Sequence, residues 1–272
     1  MNLKTYLVFI FAGFLFSGCA FFSTSSSTKK ESSIRIVSYN IRHGAGMDGK
    51  IDLQRISAVI SKMNPDLVAL QEVDKCCRRS KKVDIAARLA KSLGMQYRFG
   101  KFMNFQGGEY GMAVLSRFPI LKTIRHQLPR GKEPRCALEV VLKIKGLNKP
   151  LSFVSIHNDW VNEKIRQKQI KSLLKDLSNR NNPIILAGDF NCEKSDISMR
   201  NLKESGWRIL DKNGEKTYPS IKPNKEIDYV VLKNFPATSV RHGVIAEKTA
   251  SDHRPIYAVI SYMNEAEPVE RK

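Results

Sequence analysis

The side chains best suited to chemistry share one setting: each adjoins an apolar run. Asp189 and Asn191 follow the aliphatic run in "IILAGDFNCEKSD", Glu72 follows "LVALQ", His157 ends "LSFVSIH" and Asn40 ends "IRIVSYN". Asp228 interrupts "IDYVVL", while Asp252 and His253 precede "RPIYAVISY". Runs of this length and branching are strands, and in layered α/β folds ligands bind where strands end. Singly, each residue has an ordinary explanation. Asp and Asn bond their own backbone in turns, so Asp189 and Asn191 read as a turn as readily as a site. His157 fits hydrogen-bonded structure, and Glu72 fits an edge-strand carboxylate. Seven strands or strand junctions that each deliver an acid, amide or imidazole are less easily explained without a reactive centre. Carboxylates suit hard cations and imidazoles suit proton transfer, so the chemistry indicated is metal-assisted phosphoryl transfer.

The elements that must position these groups follow from periodicity. "IRIVSYNI" and "LVALQEV" are strands separated by a helix that Asp52 can cap, with Leu53, Ile56, Val59, Ile60 and Met63 at helical spacing and Pro65 beyond it. Ile85, Leu89 and Leu93 mark a second helix, ended by Gly94. "QYRFGKF", "YGMAVLS", "ALEVVLKI" and "LSFVSIH" follow closely as strands, which argues for hairpins and mixed pairing. A long helix runs from Asn162 to about Leu177 with Ile165, Ile170, Leu173, Leu174 and Leu177 inward. "IILAG", a short helix over Ser198 to Glu204, "IDYVVL" and "RPIYAVISY" complete the series. The simplest packing is a four-layered α/β/β/α sandwich: two mixed sheets face to face, with helices on their outer faces. Polar residues at the strand ends then meet along one edge.

In order along the chain, "SYNIR", "LQEVD", "YGMAVLSRFPI", "SIHND", "AGDFN", "EIDYVVL" and "SDHRPI" resemble the endonuclease/exonuclease/phosphatase superfamily. The resemblance spans Ile34 to Tyr262 and implies the same sandwich and a Mg²⁺- or Mn²⁺-dependent phosphoesterase. It departs from the family at "SIHND", where a Thr-His-Leu type is usual. By this resemblance Glu72 is the principal metal ligand, with Asn40 and Asp252 completing or supporting the shell. His253, paired with Asp228, is either the base for the attacking water or a donor to phosphate. Asp189 orients or activates the water, so the proton acceptor stays open between Asp189 and His253. Asn191 donates to a phosphoryl oxygen, and His157 is a further donor. Arg135 resembles the family's phosphate-contacting arginine, and Tyr110 falls where relatives carry a site tyrosine. Glu109 is a candidate to orient His157, as an acid does in deoxyribonuclease relatives. His43 is either a pocket residue or a loop histidine, and His126 and His242 have no motif context.

The N-terminus bears on location. Lys4, an apolar run from Tyr6 to Phe16 and the small pair before Cys19 form a segment too short for a comfortable membrane span. It resembles a bacterial lipoprotein signal peptide over residues 1–18, in which Phe16-Ser17-Gly18-Cys19 is the lipobox and Cys19 the lipidated residue. Phe16 departs from the usual Leu, so a secretory signal or uncleaved anchor stays open. Residues 19–33, including "STSSSTKKESS", are expected to be a flexible tether, residues 34–263 the domain, and residues 264–272 a charged tail. The expected location is the cell envelope, the outer membrane where there are two, with a secreted or periplasmic protein as the alternative; the protein is expected to act as a monomer. Cys76, Cys77, Cys136 and Cys192 show no regular spacing, and no disulfide or zinc site is assigned.

Lys and Arg total 46 against 26 acids, a net charge of +20; loss of residues 1–18 removes only Lys4, leaving +19. Such a balance favours an anionic phosphoester partner, nucleic acid or lipid headgroup, though it also serves simple solubility. "EIDYVVL" stands where inositol polyphosphate phosphatases carry Trp-Cys-Asp-Arg, which disfavours that branch. An exported protein does not meet chromosomal abasic sites. A secreted nuclease, a sphingomyelinase or phospholipase C-like hydrolase, and a general phosphodiesterase of the branch beginning "YNIRHGAGMDGKIDLQRI" remain, the last being the nearest resemblance. An inactive surface binding protein is the alternative of a different class.

Overall fold

The computed structural model of the protein describes residues 30–264. The signal segment, Cys19, most of the tether and the tail beyond residue 264 lie outside the described residues. In chain order the elements are β1 (Glu31–Asn40), α1 (Leu53–Ser61), β2 (Leu67–Lys75), α2 (Ile85–Leu93), β3 (Gln96–Phe105), β4 (Gly108–Ser116), β5 (Ile120–Gln127) and β6 (Cys136–Leu142). They continue with β7 (Leu151–His157), α3 (Glu163–Leu177), β8 (Ile184–Asp189), α4 (Ile197–Glu204), β9 (Arg208–Ile209), β10 (Asp228–Lys233), β11 (Ala237–Val244) and β12 (Ile256–Met263). Side chains of Asp52, Asp84 and Asn162 accept from the backbone N–H of Arg55, Ala87 and Ile165, satisfying donors at three helix starts. No described helix is long and apolar enough to cross a membrane.

The strands form two mixed six-stranded sheets, ordered β11-β12-β1-β2-β4-β3 and β5-β6-β7-β8-β10-β9. Among the described residues only β1 with β2 and β7 with β8 pair in parallel, each pair bridged by a helical crossover. Three apolar layers hold the sandwich. Ile36, Ala69, Met112, Leu138, Phe153 and Val230 belong to the layer between the sheets. Val37, Leu70, Ile56 and Leu89 join the first sheet to α1 and α2, and Val154, Leu186, Ile170 and Met199 join the second to α3 and α4. The four-layered expectation holds.

Two boundaries differ from expectation. Ser32 and Ser33 pair with Tyr262 and Ser261, so β1 already begins at Glu31, inside the stretch expected to be tether. Gly188, the last residue of the expected strand "IILAG", lies within β8, opposite Ile156 and Tyr229. A Cβ there would lie 2.0 Å from the Ile156 carbonyl oxygen, so the glycine permits close strand approach and the strand continues to Asp189.

Period two locates the site. On β1 the inward row runs Ile34, Ile36, Ser38, Asn40; on β7, Leu151, Phe153, Ser155, His157; on β8, Ile185, Ala187, Asp189. On β10, which runs the other way beside β8, Leu232 and Val230 lead to Asp228. Each row is apolar in the inter-sheet core and polar at one end, and the polar ends coincide. Gln71 marks the changeover, donating to Ser155 Oγ at 3.2 Å while its amide oxygen lies 3.5 Å from Ser38 Oγ.

Candidate active site

Asp189 is the centre of the polar end. Its Oδ2 accepts from Asn40 Nδ2 at 3.1 Å and lies 3.5 Å from His157 Nε2 and 3.6 Å from His253 Nε2. Its other oxygen accepts from the Asn191 backbone N–H at 2.9 Å, a turn that fixes the carboxylate. His253 Nδ1 lies 3.1 Å from Asp228 Oδ2, joining the closing loop to β10. Asn40, His157, Asp189, Asp228 and His253 are all buried.

Glu72 reaches the same place by an irregularity. With Gln71 inward, alternation would turn Glu72 toward α1 and α2. The β2–β4 register instead shifts between Leu70 and Val73, and Glu72 takes a left-handed φ of 56°. It thereby lines the cleft and accepts from Asn40 Nδ2 at 3.2 Å. Asn40 Oδ1 accepts from the Arg42 backbone N–H at 3.2 Å, so the amide nitrogen faces both carboxylates and braces them. Asp252 lies at the more exposed rim, 3.8 Å from Arg42 Nε.

The cleft above these groups encloses about 450 Å³. Arg135, buried on one wall, holds Glu133 Oε2 at 2.8 Å and lies 4.9 Å from the centre of the Phe102 ring. Phe102 packs edge-on to Tyr110 at 5.6 Å, so Arg135 and Tyr110 share one aromatic support. Asn191 also lines the cleft and donates its amide to the Asn158 carbonyl at 3.1 Å.

Burial dominates the electrostatics. It pushes the Glu72 and Asp189 carboxyls above the usual carboxylate range and the Tyr110 hydroxyl above its ordinary value. It drives His157 down, assisted by Arg135 and His253, leaving that imidazole neutral. For His253 burial also opposes charge, but Asp228 and Asp189 outweigh it and the net shift is upward. The cluster therefore pairs one neutral imidazole with one that favours its proton.

Other expectations resolve differently. Glu109 does not orient His157: it pairs with Lys101 at 2.9 Å and Lys75 at 3.5 Å, while His157 Nδ1 has no hydrogen-bond partner among the described residues. His43 is partly buried, and burial with nearby Arg79 lowers it to about 4. His126 bonds Glu139 and Asp176 away from the cleft. Several lining residues carried no sequence signal, among them Phe105, Trp160, Tyr218 and Lys225. Arg79, also on the lining, had a faint one: buried Asp74, the closing acid of "LQEVD", holds it with two bonds of 2.8 Å. The Tyr218 ring centroid lies 4.8 Å from that of His253.

The donor set fits a hard divalent cation. Glu72 is a largely buried carboxylate with a single amide donor and no cationic partner at salt-bridge distance among the described residues, and Asp252 adds a second carboxylate on the same cleft. Asp189, Asp228 and His253 also converge within 4.8 Å. That trio is the poorer metal site, because the imidazole between the two acids already answers their charge.

A model of the Endonuclease/Exonuclease/phosphatase family matches residues 37–253. Among solved structures, an endonuclease/exonuclease/phosphatase from Beutenbergia cavernae is 23% identical over 87% of this chain and 73% of its own, with a TM-score of 0.67. A family protein from Bacteroides thetaiotaomicron is 19% identical over 89% and 100%, with a TM-score of 0.70. A functionally unknown protein from Enterococcus faecalis is 20% identical over 84% and 99%, also at 0.70. These structures share the sandwich, and the family match runs from the middle of β1 to His253, enclosing every residue of the cluster just described; the chain belongs to the endonuclease/exonuclease/phosphatase family.

Proposed function

We propose that the protein hydrolyses phosphodiesters of the cell envelope with the help of a Mg²⁺ or Mn²⁺ ion, while anchored to the membrane through its N-terminal segment. Family membership supports a hydrolase of the phosphoesterase and nuclease type. The carrying observation is the convergence of Asn40, His157 and His253 on one oxygen of buried Asp189. Glu72, with Asp252 and, after rotation of its amide, Asn40, would hold the ion. When bound, such an ion stabilises negative charge on phosphate oxygens.

The chain's own groups divide the remaining work. Asp189, raised by burial, is suited to accept a proton from water that its neighbours orient. His253 favours its protonated form and is suited to donate to a phosphoryl or departing oxygen. His157, neutral, Asn191 and Arg135 stand around the same cleft as donors to the phosphate. A volume of about 450 Å³ accommodates a phosphodiester with a small headgroup.

The test is turnover of bis(p-nitrophenyl) phosphate by the purified protein with Mg²⁺, with Mn²⁺ and after chelation. Metal-dependent turnover that falls about 10²–10⁴-fold in Asp189→Asn is expected. Equal rates in wild type and variant, or turnover indifferent to chelation, would overturn the proposal. A nuclease is the second reading, favoured by the +20 charge, and nicking of supercoiled plasmid separates the two.

A further inference from the structure

Apolar side chains stand exposed on loops around the cleft mouth. Trp160 and Val161, between β7 and α3, are 58% and 55% exposed; Ile221, between β9 and β10, is 57% exposed. Trp160 itself lines the cleft. Ile221 lies in a turn closed by the Tyr218–Lys225 bridge, and both bridge residues line the cleft as well. A third loop brings Met47, 37% exposed, whose N–H donates to the Thr249 carbonyl three residues before Asp252.

Exposed lysines interleave with them: Lys132, Lys164, Lys222, Lys225 and Lys248. Lys132 is joined to the Trp160 loop through its N–H to Asp159 Oδ2 at 2.7 Å. Of the nearby acids, Glu133 is held by Arg135, Asp48 by Arg55 and Glu247 by the N–H groups of Thr249 and Ala250, while exposed Glu163, which accepts from Gln167, is outnumbered by the five lysines.

Single exposed apolar residues are ordinary. Four of them on three loops around one opening, mixed with five lysines, suit a surface whose interior takes apolar tips and whose headgroups take amines. Tryptophan in particular prefers that boundary. We propose that the cleft mouth is a membrane-docking face that seats the enzyme on an anionic bilayer with the active site turned toward the headgroups. A nucleic acid would satisfy the lysines but offers nothing to Val161, Ile221 and Met47. The inference deepens the envelope reading above and rests on it for the substrate, while the contact itself is measured separately.

The chain reports on this contact directly, because it has two tryptophans and Trp207 is only 5% exposed. The full chain is mixed with phosphatidylcholine vesicles with and without phosphatidylglycerol, some carrying brominated acyl chains. A blue shift and bromine quenching of Trp160 with the anionic vesicles, weakened by salt, are expected. The double variant Val161→Glu with Ile221→Glu should lower vesicle-dependent quenching at least ~10-fold while hydrolysing bis(p-nitrophenyl) phosphate at the wild-type rate. Unchanged Trp160 emission, even when the chain sediments with vesicles, overturns the proposal, and so does equal quenching in the double variant. A response to single-stranded DNA in place of vesicles also overturns it and makes the face a nucleic-acid surface. Quenching without hydrolysis sinks the catalytic reading alone; hydrolysis without quenching sinks the docking alone.

Discussion

The Nδ1 atom of His253 stands 3.1 Å from Oδ2 of Asp228, and both side chains are buried. Asp228 thereby fixes which ring nitrogen turns toward Asp189 and, despite burial, helps raise His253 above an ordinary histidine. The sign follows: a raised imidazole stays protonated at neutral pH and loses its proton only in the alkaline range. If activity needs that proton, Asp228→Asn should move the alkaline limb of the kcat/KM profile to lower pH by ~1 unit or more, since an adjacent opposite charge shifts a group by 1–3 units. An alkaline limb that does not move would show that His253 is not the titrating donor.

Gly188 provides a steric test of the same centre. Its missing side chain admits the Ile156 carbonyl, against which a Cβ would lie 2.0 Å away. Backbone must shift to accept alanine, and the next residue is Asp189. Gly188→Ala is expected to lower stability by about 1–3 kcal/mol, as overpacking does, and to depress kcat more than Asp189's intact chemistry would suggest. Denaturant melts and initial rates on one preparation check it; wild-type values for both would mean that β7 and β8 part without cost.

Much of this site was legible because period two, and little else, brings it together. Asn40, His157 and Asp189 each continue an inward apolar row, so the sequence already aims them at one edge. Glu72 is different: alternation alone would turn it outward, and a bulge with a left-handed residue corrects it, a device with no signature in "LQEVD". The three strands absent from the sequence reading, β5, β9 and β11, are all sheet edges. An edge strand has one paired flank and exposed residues, so it needs no continuous apolar run. The aromatic and cationic lining of Phe105, Tyr218 and Lys225 comes from hairpin tips and loops, where position depends on tertiary packing rather than on periodicity.

Lys212 is a fully buried lysine beside the site. Its Nζ donates to Glu226 Oε1 at 2.6 Å and to the Asp228 carbonyl at 2.8 Å, and it lies 4.2 Å from the centre of the Tyr229 ring. It ties the start of β10 in the register that presents Asp228 to His253. Removing one member of a buried pair strands its partner, but Lys194 Nζ also lies 3.2 Å from the same Glu226 oxygen and compensates in part, so Lys212→Met should cost no more than about 3 kcal/mol. Lys212→Met combined with Glu226→Gln should recover part of that loss, because the stranded carboxylate is gone. Equilibrium denaturation of the three variants measures the coupling, and strictly additive losses would mean the two side chains act independently.

The last prediction concerns pH and stability away from the cleft. Glu139, buried on β6, accepts from Ser152 Oγ at 2.6 Å and lies 2.8 Å from His126 Nε2, while His126 Nδ1 lies 3.1 Å from Asp176. Burial opposes charge on both partners, yet mutual pairing wins: His126 is raised and Glu139 lowered. A raised His126 stabilises fully below its unfolded value of ~6.5, and that contribution fades as pH climbs through the folded value. A lowered Glu139 stabilises above its unfolded value of ~4.3, and its contribution fades as pH falls through the folded value. Both are complete between about pH 4.3 and pH 6.5. Glu139→Gln should therefore cost most stability within that window, ~3 kcal/mol for a broken buried pair, and less at alkaline pH, where the wild type has lost its imidazolium. Chemical denaturation at pH values inside and above the window tests this, and a cost that is the same in both would locate the contribution of Glu139 in its bond from Ser152 and its pairing with Arg180, 3.4 Å away, instead of in the pair with His126.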